Sequence, residues 1–301
     1  METLARLTPR RILICGASGR LGSALKSVAE RKGFLVTVIG SQSLRACLDS
    51  QNNSNILGLL DGNAEADIVF AGGLTDPNTP PADLMSANAE LPSRFIELTA
   101  HHKGIRYLTV GSVLETFETL TKHNPYLQSK AELWQRMQKL SSIPEFSSRL
   151  CHLKLHTLYG GTPAPHSFLG QLYESLRIRQ PFEMSDGRQI REYSHVEDVS
   201  KSMLALLRRK WPNSLSHDLS TSTPVALSDL AQTIFKRFNC EHLLRLGMLK
   251  TAPGENITTR FSRSPDWLLG RPRDQMNGIY NWLAVLLAAH GSERNTRSSG
   301  K

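Results

Sequence analysis

The stretch "RILICGASGRLGSAL", Arg11–Leu25, decides how the first part of this chain folds. A short apolar run ends at Gly16, and two further glycines, Gly19 and Gly22, follow at even three-residue spacing. Apolar residues then recur at the spacing of one helix face. A helix N-terminus binds phosphate through its unpaired N–H groups and its partial positive charge. The pattern therefore predicts a strand, a phosphate-binding turn and a helix, of the kind that binds a dinucleotide.

Each glycine of this turn has its own expected role. Gly16 permits the tight turn, Gly19 lets the backbone approach a pyrophosphate, and Gly22 lets the helix pack closely against the strand. A glycine-rich turn without a ligand is the alternative. We favour the dinucleotide site, because three spaced glycines between a strand and a helix are hard to explain otherwise.

Strand and helix patterns alternate through the first half of the chain. Parallel strands joined by helices have right-handed crossovers, and such sheets bind ligands at the carboxyl edge of the strands. We therefore predict an α/β fold: a doubly wound parallel Rossmann-type sheet with a smaller C-terminal substrate-binding domain. The later strands are expected in "FLVTVIG" (34–40), "ADIVFAGG" (66–73), "IRYLTVGS" (105–112) and "CHLKLHTLYGG" (151–161), with one more, short or missing, near "NILGLL" (55–60).

The alternation loosens from about Gly161, where prolines become frequent. We expect residues 1–160 to form the dinucleotide-binding domain, with 191–222 returning to it. Residues 161–190 and 223–290 then form the substrate-binding domain. The tail, 291–301, lacks apolar residues and is expected to be disordered.

Composition and charge exclude several classes of protein. The net charge is +9, from 36 basic and 27 acidic residues, but the basic residues are dispersed, so we expect no nucleic-acid partner. The longest apolar run near the C-terminus, Trp282–Ala289, is too short to span a membrane, and no signal peptide is recognisable. The four cysteines show no metal-ligand spacing, which is typical of reduced thiols in a cytoplasmic protein.

A tyrosine and a lysine carry the expected chemistry. Tyr126 and Lys130 in "NPYLQSK" stand four residues apart and share one helix face. A nearby ammonium and a cationic nicotinamide would lower the tyrosine pKa from about 10, so that the phenol could exchange a proton with a carbonyl or alcohol. Ser112 ends the preceding strand, where its hydroxyl could donate a hydrogen bond to the substrate oxygen.

These motifs together resemble the short-chain dehydrogenase/reductase superfamily. "RQIREYSHVEDVSKSMLALL", 188–207, resembles its extended branch of nucleotide-sugar epimerases, dehydratases and reductases. The resemblance implies that Tyr126 is the general acid/base, Lys130 its partner and Ser112 the hydroxyl that orients the carbonyl. It also implies that Asn88 supports the lysine region and that Arg191 binds the diphosphate of a nucleotide-linked sugar. Dimers are common in this family, so a homodimer is implied as well.

The chain departs from the branch at several positions. Thr157 stands where the branch usually has asparagine, and we assign it to substrate binding with Arg191. The segment between Ser112 and Tyr126 is short, so the active-site loop is trimmed. Glu115 lies in that loop, either as a substrate-binding second acid/base or as a solvent-exposed residue.

The residues after the second strand favour NADP(H) over NAD(H), although NAD(H) stays possible. An NAD site usually has an acidic residue there, but "VIGSQSLRA" has none. Ser41, Arg45 and Arg20 would suit a 2′-phosphate, and the alternative for Arg20 is a solvated position in the first helical turn. The expected cofactor-binding residues are Gly16, Ser18, Gly19, Arg20, Leu21, Gly22, Ser41, Arg45, Ala71, Gly72, Asn88 and Lys130.

The leading hypothesis is an NAD(P)-dependent reductase of a keto group on a nucleotide-linked sugar. Hydride would come from the nicotinamide and the proton from Tyr126. A nucleotide-sugar 4-epimerase with tightly bound NAD would use the same residues. A non-catalytic dinucleotide sensor on the same fold is a third hypothesis, but such a protein need not keep Ser112, Tyr126 and Lys130 together.

Overall fold

The computed structural model describes residues 11–49, 65–76, 78–211, 215–251, 255 and 259–298. Its main sheet has six strands in the order β10-β5-β4-β3-β1-β2, and all of its strand pairs are parallel. These strands are β1 (Arg11–Cys15), β2 (Val36–Ile39), β3 (Ala66–Phe70), β4 (Ile105–Ser112), β5 (Leu150–Leu155) and β10 (Ser216–Leu219).

Helices follow these strands in the expected alternation. The α-helices are α1 (Arg20–Arg31), α2 (Ser41–Asp49), α3 (Pro81–Met85), α4 (Leu91–Leu98), α5 (Glu118–Thr121), α6 (Pro125–Ser141), α7 (Phe168–Ile178), α8 (Val196–Leu207), α9 (Leu227–Arg237), α10 (Asp266–Leu269) and α11 (Gln275–Ser298). A π-helical turn (Ser86–Glu90) joins α3 to α4, and 3₁₀ turns cover Val113–Thr116, Pro144–Phe146 and Glu241–Leu243. The six-stranded parallel sheet confirms the predicted α/β Rossmann-type architecture.

Burial explains why the central strands form. In β1, Ile12, Leu13 and Ile14 are fully buried, and every residue of β3 is buried. A parallel strand covered on both faces has an apolar run of this kind rather than an alternating pattern. On α1, the apolar positions at helical spacing face the core, and Gly33 follows the helix with a positive φ of +75°. That conformation suits glycine and ends the helix where the sequence predicts.

The chain divides into two compact units whose bounds differ from the predicted ones. The first contains Met1–Leu155, Val196–Leu219 and Ser264–Gly270, and the remainder forms the second. The return to the first unit therefore starts at Val196 rather than at residue 191. Its preceding strands β8 (Ile190–Arg191) and β9 (Tyr193–His195) pair with strands of the second unit, which explains the difference.

The second unit consists of helices and short two-stranded sheets. β6 (Thr157–Tyr159) pairs with β9, β11 (Val225–Ala226) with β8, and β12 (Leu244–Arg245) with β7 (Phe182–Glu183). Its core is built largely by α7, α9 and α11, from residues that include Leu172, Ile234, Phe235 and Ile279.

Two sequence expectations concern the C-terminal tail and the segment near residues 55–60. The tail expected to be disordered from Gly291 instead continues α11 to Ser298. A helix that packing has already nucleated extends at little cost, even through polar residues. The possible strand near residues 55–60 lies outside the described residues. In the described part of the chain, no helix is long and apolar enough to cross a membrane.

Candidate active site

The glycine turn brings the backbones of two strand ends into contact. Gly16 has φ +86°, and a Cβ added to it would lie 2.1 Å from Cα of Gly72, just after β3. A Cβ on Gly22 would lie 2.1 Å from the carbonyl oxygen of Gly16. These distances are far below van der Waals contact, so no other residue fits at either position. The expected tight turn at Gly16 and close helix packing at Gly22 are both present.

The N-terminus of α1 fits the phosphates of a dinucleotide. Gly19 precedes the helix without a side-chain cap, and the first turn contains no acidic residue. A Cβ on Gly19 would have only the Gly16 carbonyl oxygen nearby, at 3.4 Å, so the space above this residue is open. The helix thus presents N–H groups and positive potential beside a backbone that another group can approach.

The residues expected to select the dinucleotide lie at the same sheet edge. Pairing of Cys15 with Ile39 aligns the ends of β1 and β2, so the chain enters α1 and α2 from neighbouring positions. Ser41 and Arg45 are exposed on α2. Arg20, the first residue of α1, is half-buried, and this burial lowers the pKa of its guanidinium.

Strand β4 and helix α6 bring Ser112, Tyr126 and Lys130 to one region. Asn124 caps α6 by accepting a 3.1 Å hydrogen bond from the Leu127 N–H. One turn into the helix, Lys130 Nζ donates a 3.0 Å hydrogen bond to the carbonyl oxygen of Val110, two residues before Ser112. The same nitrogen lies 5.9 Å from the centre of the Tyr126 ring. The predicted tyrosine–lysine face is therefore held against the end of the strand.

The electrostatics of Tyr126 differ from the sequence expectation. Burial, with a further effect of the Glu115 carboxylate, raises the pKa of Tyr126 to about 12, although the residue keeps partial exposure. The expected lowering of the Tyr126 pKa is not found, since burial of the phenol and the Glu115 carboxylate both raise it. Burial also lowers the pKa of Lys130 to about 8, against the opposing effect of Glu115. In the structure, the tyrosine is therefore strongly favoured as a phenol at neutral pH.

Ser112 has a hydroxyl that can still donate a hydrogen bond. Its Oγ accepts a 3.2 Å hydrogen bond from the Leu114 N–H, as the cap of the 3₁₀ turn. Because this contact uses a lone pair, the hydroxyl proton can be directed to a carbonyl oxygen. This geometry suits the predicted role of Ser112.

Asn88 supports the lysine helix from the buried π-helical turn. Its Nδ2 donates to Ser129 Oγ at 2.9 Å and to the Leu74 carbonyl at 3.0 Å, while its Oδ1 accepts the Leu74 N–H at 2.8 Å. π-Helical turns are frequent at functional sites. With these three protein contacts, Asn88 links the loop after β3 to the helix of Lys130, in agreement with the expected supporting role.

Glu115 is buried, so the solvent-exposed alternative is wrong, and its substrate-binding role remains a prediction. Its side chain is fully buried. Oε2 accepts a 2.8 Å hydrogen bond from the Ser112 N–H, and Oε1 lies 2.9 Å from His152 Nε2. The S-x-x-E spacing of Ser112 and Glu115 is a capping-box signal that could have indicated this position. His152 was missed, because a single histidine in an apolar strand has no distinctive pattern.

The other predicted substrate residues belong to the second unit. Thr157 is exposed at the start of β6. Arg191 ends β8 and forms an ion pair with Glu255, a partner that no sequence pattern indicated. Its guanidinium also donates to the Ile190 carbonyl at 2.9 Å. The substrate roles of Thr157 and Arg191 remain predictions.

Comparison with known proteins identifies the family. The model of the "NAD dependent epimerase/dehydratase family" matches residues 12–215. The chain is 23% identical to the GDP-L-fucose synthase of Escherichia coli (strain K12) over 270 residues, which cover 76% of this chain and 82% of that protein.

Two solved structures show the same fold. The UDP-glucose 4-epimerase of Thermotoga maritima, solved with UDP-glucose, is 12% identical with a TM-score of 0.75, covering 93% of this chain and 99% of its own. The protein MoeE5, solved with UDP-glucose and NAD, is 17% identical with a TM-score of 0.72. The match covers 91% of this chain and 97% of MoeE5. Since the family model spans more than half of the residues, this chain belongs to the NAD-dependent epimerase/dehydratase family.

Proposed function

We propose that this protein reduces a keto group of a nucleotide-linked sugar with a nicotinamide dinucleotide. The observation that carries the proposal is the placement of Tyr126 and Lys130 against the strand end of Ser112, where Lys130 Nζ donates to the Val110 carbonyl oxygen at 3.0 Å and lies 5.9 Å from the centre of the Tyr126 ring. Burial and the Glu115 carboxylate favour the phenol, which is the form that donates a proton to a developing alkoxide. Oxidation of a sugar hydroxyl, with which an epimerase or dehydratase begins, needs the phenolate instead.

Three residues of the chain have separate proposed roles at the keto group and the cofactor. The Ser112 hydroxyl orients the carbonyl oxygen by a hydrogen bond, and the Tyr126 hydroxyl supplies the proton. Lys130 is mostly protonated below its pKa of about 8, and its ammonium is suited to hold the nicotinamide ribose. When bound, the reduced dinucleotide supplies the hydride. The glycine turn and the N-terminus of α1 would hold its phosphates.

NADP(H) is the proposed cofactor, with NAD(H) as the alternative that the family name and several structural relatives favour. The first turn of α2 contains no acidic residue to bind ribose hydroxyls. Ser41, Arg45 and Arg20 at this edge are suited to a 2′-phosphate. A homodimer and a cytoplasmic location, both expected from the sequence, are part of the same proposal.

A turnover assay tests the proposed reaction. The protein is incubated with NADPH or NADH and with nucleotide-linked keto sugars, and loss of the reduced-nicotinamide absorbance is followed together with product formation. Stoichiometric conversion of dinucleotide and keto sugar supports the reductase. Absence of dinucleotide consumption with every sugar of such a panel would contradict it.

A 4-epimerase is the second candidate, since the family name includes epimerases and a UDP-glucose 4-epimerase shares the fold. It would interconvert two nucleotide sugars without net consumption of dinucleotide and would retain NAD through purification. A dinucleotide sensor would bind the cofactor and convert no sugar. The same incubation, analysed by chromatography of the sugar nucleotides, separates the three functions.

A further inference from the structure

A buried hydrogen-bonded chain of three side chains lies beside the candidate active site. It runs from Glu115 in the 3₁₀ turn after β4 to His152 on β5 and then to Thr109 on β4. Glu115 Oε1 lies 2.9 Å from His152 Nε2, and His152 Nδ1 lies 2.7 Å from Thr109 Oγ1. Neither the carboxylate nor the imidazole has any exposed surface.

The backbone of β4 is shaped around this pair. A Cβ on Gly111 would lie 2.2 Å from His152 Nε2 and 2.4 Å from Glu115 Oε2. A side chain at position 111 would therefore displace both polar groups. The two polar groups therefore occupy the space that a side chain at position 111 would fill, so this packing requires a glycine in β4.

The pair connects directly to the groups with proposed catalytic roles. Glu115 Oε2 accepts the Ser112 N–H at 2.8 Å, which fixes the backbone of the residue whose hydroxyl faces the reaction. From α6, Tyr126 and Lys130 both experience the charge of Glu115. Trp134 packs against the pair, with its ring centre 5.2 Å from that of His152, and Lys154 Nζ lies 4.7 Å from the centre of the Trp134 ring on α6.

Both ring nitrogens of His152 are engaged by hydrogen bonds inside the protein. The Thr109 hydroxyl, 2.7 Å from His152 Nδ1, also donates to the Cys151 carbonyl oxygen at 3.4 Å. A buried carboxylate is costly unless it is paired and hydrogen-bonded, and replacing such a pair by apolar residues is often neutral or stabilising. Stability alone therefore does not explain the pair, whereas its connection to Ser112 and Tyr126 does.

We propose that Glu115 and His152 are positioning residues that fix the backbone of Ser112 and hold a carboxylate beside the helix turn of Tyr126 and Lys130. The inference rests on the proposed function in one respect, namely that Tyr126 is the proton donor. The negative charge of Glu115 opposes a second negative charge on the phenol, so the phenol persists to higher pH. His152 holds the carboxylate in place through the contact between its Nε2 and Glu115 Oε1.

Neutralising the carboxylate tests the inference without any need for turnover. In Glu115→Gln, the side chain keeps its size, and we expect the fraction of ionised Tyr126 at a fixed alkaline pH to rise several-fold. Ionisation is read by NMR of proteins with ¹³C-labelled tyrosine, and Tyr126→Phe in each background assigns the signal among the six tyrosines. Circular dichroism establishes that each variant is folded at the chosen pH.

Three further variants make the result specific. Glu118→Gln removes an exposed carboxylate three residues away and should leave the Tyr126 ionisation unchanged. Glu115→Asp keeps the charge and should keep the phenol. The double variant Glu115→Met with His152→Leu replaces the two buried polar side chains by apolar ones and so removes the charge. It is the alternative test if Glu115→Gln does not fold, and it should show the same rise in the ionised fraction of Tyr126.

Turnover adds an independent readout. With a working substrate, the pH at which kcat falls on the alkaline side should move lower in Glu115→Gln. A folded, charge-neutral variant with the Tyr126 ionisation of the wild type would overturn the inference. A wild-type protein that consumes no dinucleotide contradicts the proposed function instead, whatever the NMR result, so the two failures are distinguishable.

Discussion

At the scale of single residues, the site depends on how burial changes the acidity of neighbouring groups. Tyr126 and Lys130 are one helical turn apart, and desolvation raises the pKa of the phenol and lowers that of the ammonium. Both shifts favour the neutral forms. Glu115 adds a negative charge that favours the phenol and the ammonium together. The proton-transfer properties of Tyr126 therefore follow from its surroundings more than from the Y-x-x-x-K spacing.

Removal of the Tyr126 hydroxyl should abolish most of the turnover and leave dinucleotide affinity intact. Loss of a general acid typically reduces the rate about 10²–10⁴-fold. The change Tyr126→Phe keeps the ring, so cofactor binding measured by titration should stay within experimental error of the wild type. A variant with unchanged turnover would refute the assigned role.

Lys130 should make stability depend on pH in a defined range. The pKa of its ammonium is about 8 in the folded chain against an ordinary 10.5, so the unfolded chain binds more protons between these values. The contribution of Lys130 to the free energy of unfolding therefore increases as pH rises through this range, so the folded chain becomes more stable. Urea unfolding of the wild type and Lys130→Met at several pH values measures the difference. Parallel pH curves for the two proteins would show that the lysine pKa is unshifted.

At the scale of elements, the glycine turn allows a helix and two strands to pack closely, in addition to being a candidate phosphate site. Gly16 lies against Gly72 after β3, and Gly22 lets α1 lie on the carbonyl of Gly16. Three elements, β1, α1 and β3, therefore meet through backbone atoms with no side chain between them. This close approach brings the N-terminus of α1 to the carboxyl edge of the sheet.

A side chain at position 22 should disrupt the close packing of α1 against the turn after β1. In Gly22→Ala, the Cβ would lie 2.1 Å from the Gly16 carbonyl oxygen, so the helix or the turn must shift. Overpacking of this kind costs about 1–3 kcal/mol, and we expect that loss in the free energy of unfolding together with weaker dinucleotide binding. Gly40→Ala is the matched control, since its Cβ would have no neighbour closer than Ser43 Oγ at 3.9 Å. Equal stability of the two variants would contradict the packing argument.

At the scale of the whole molecule, the parallel sheet places several separate segments at one edge. The turn after β1, the loop after β3 and the end of β4 are far apart in the chain, yet parallel pairing brings their carboxyl ends to the same side. A ligand held by these segments stabilises the folded chain according to its affinity, by about 2.7 kcal/mol when its concentration is a hundredfold above Kd.

Global stability therefore reports the choice of dinucleotide. We expect NADPH to raise the melting temperature more than NADH at equal concentration, and Arg45→Ala to reduce the NADPH effect selectively. Lys26→Ala, which changes an exposed cation on α1, should leave both effects unchanged. Equal stabilisation by the two dinucleotides in the wild type would favour the NAD-binding alternative and remove the proposed role of Arg45.

The sequence by itself determined the fold class and the residues of the tyrosine–lysine face. Periodicity and spaced glycines are local properties, and the turn after β1 needs Gly16 and Gly22 for steric reasons that the sequence pattern already indicates. The same local patterns misplaced the return to the first unit, because the pairing of β8 and β9 depends on strands distant in the chain. They also misjudged the C-terminal tail, where polar composition did not prevent helix extension.

Only the tertiary structure decided the electrostatics of the site. Whether Glu115 faces water or the interior depends on the 3₁₀ turn folding back over β4, and its partner His152 comes from another strand. The pKa of Tyr126 rises because the packed chain removes water from around the phenol and places a carboxylate nearby. Burial and charge at a given point are sums over residues distant in sequence, so neither can be obtained from a motif alone.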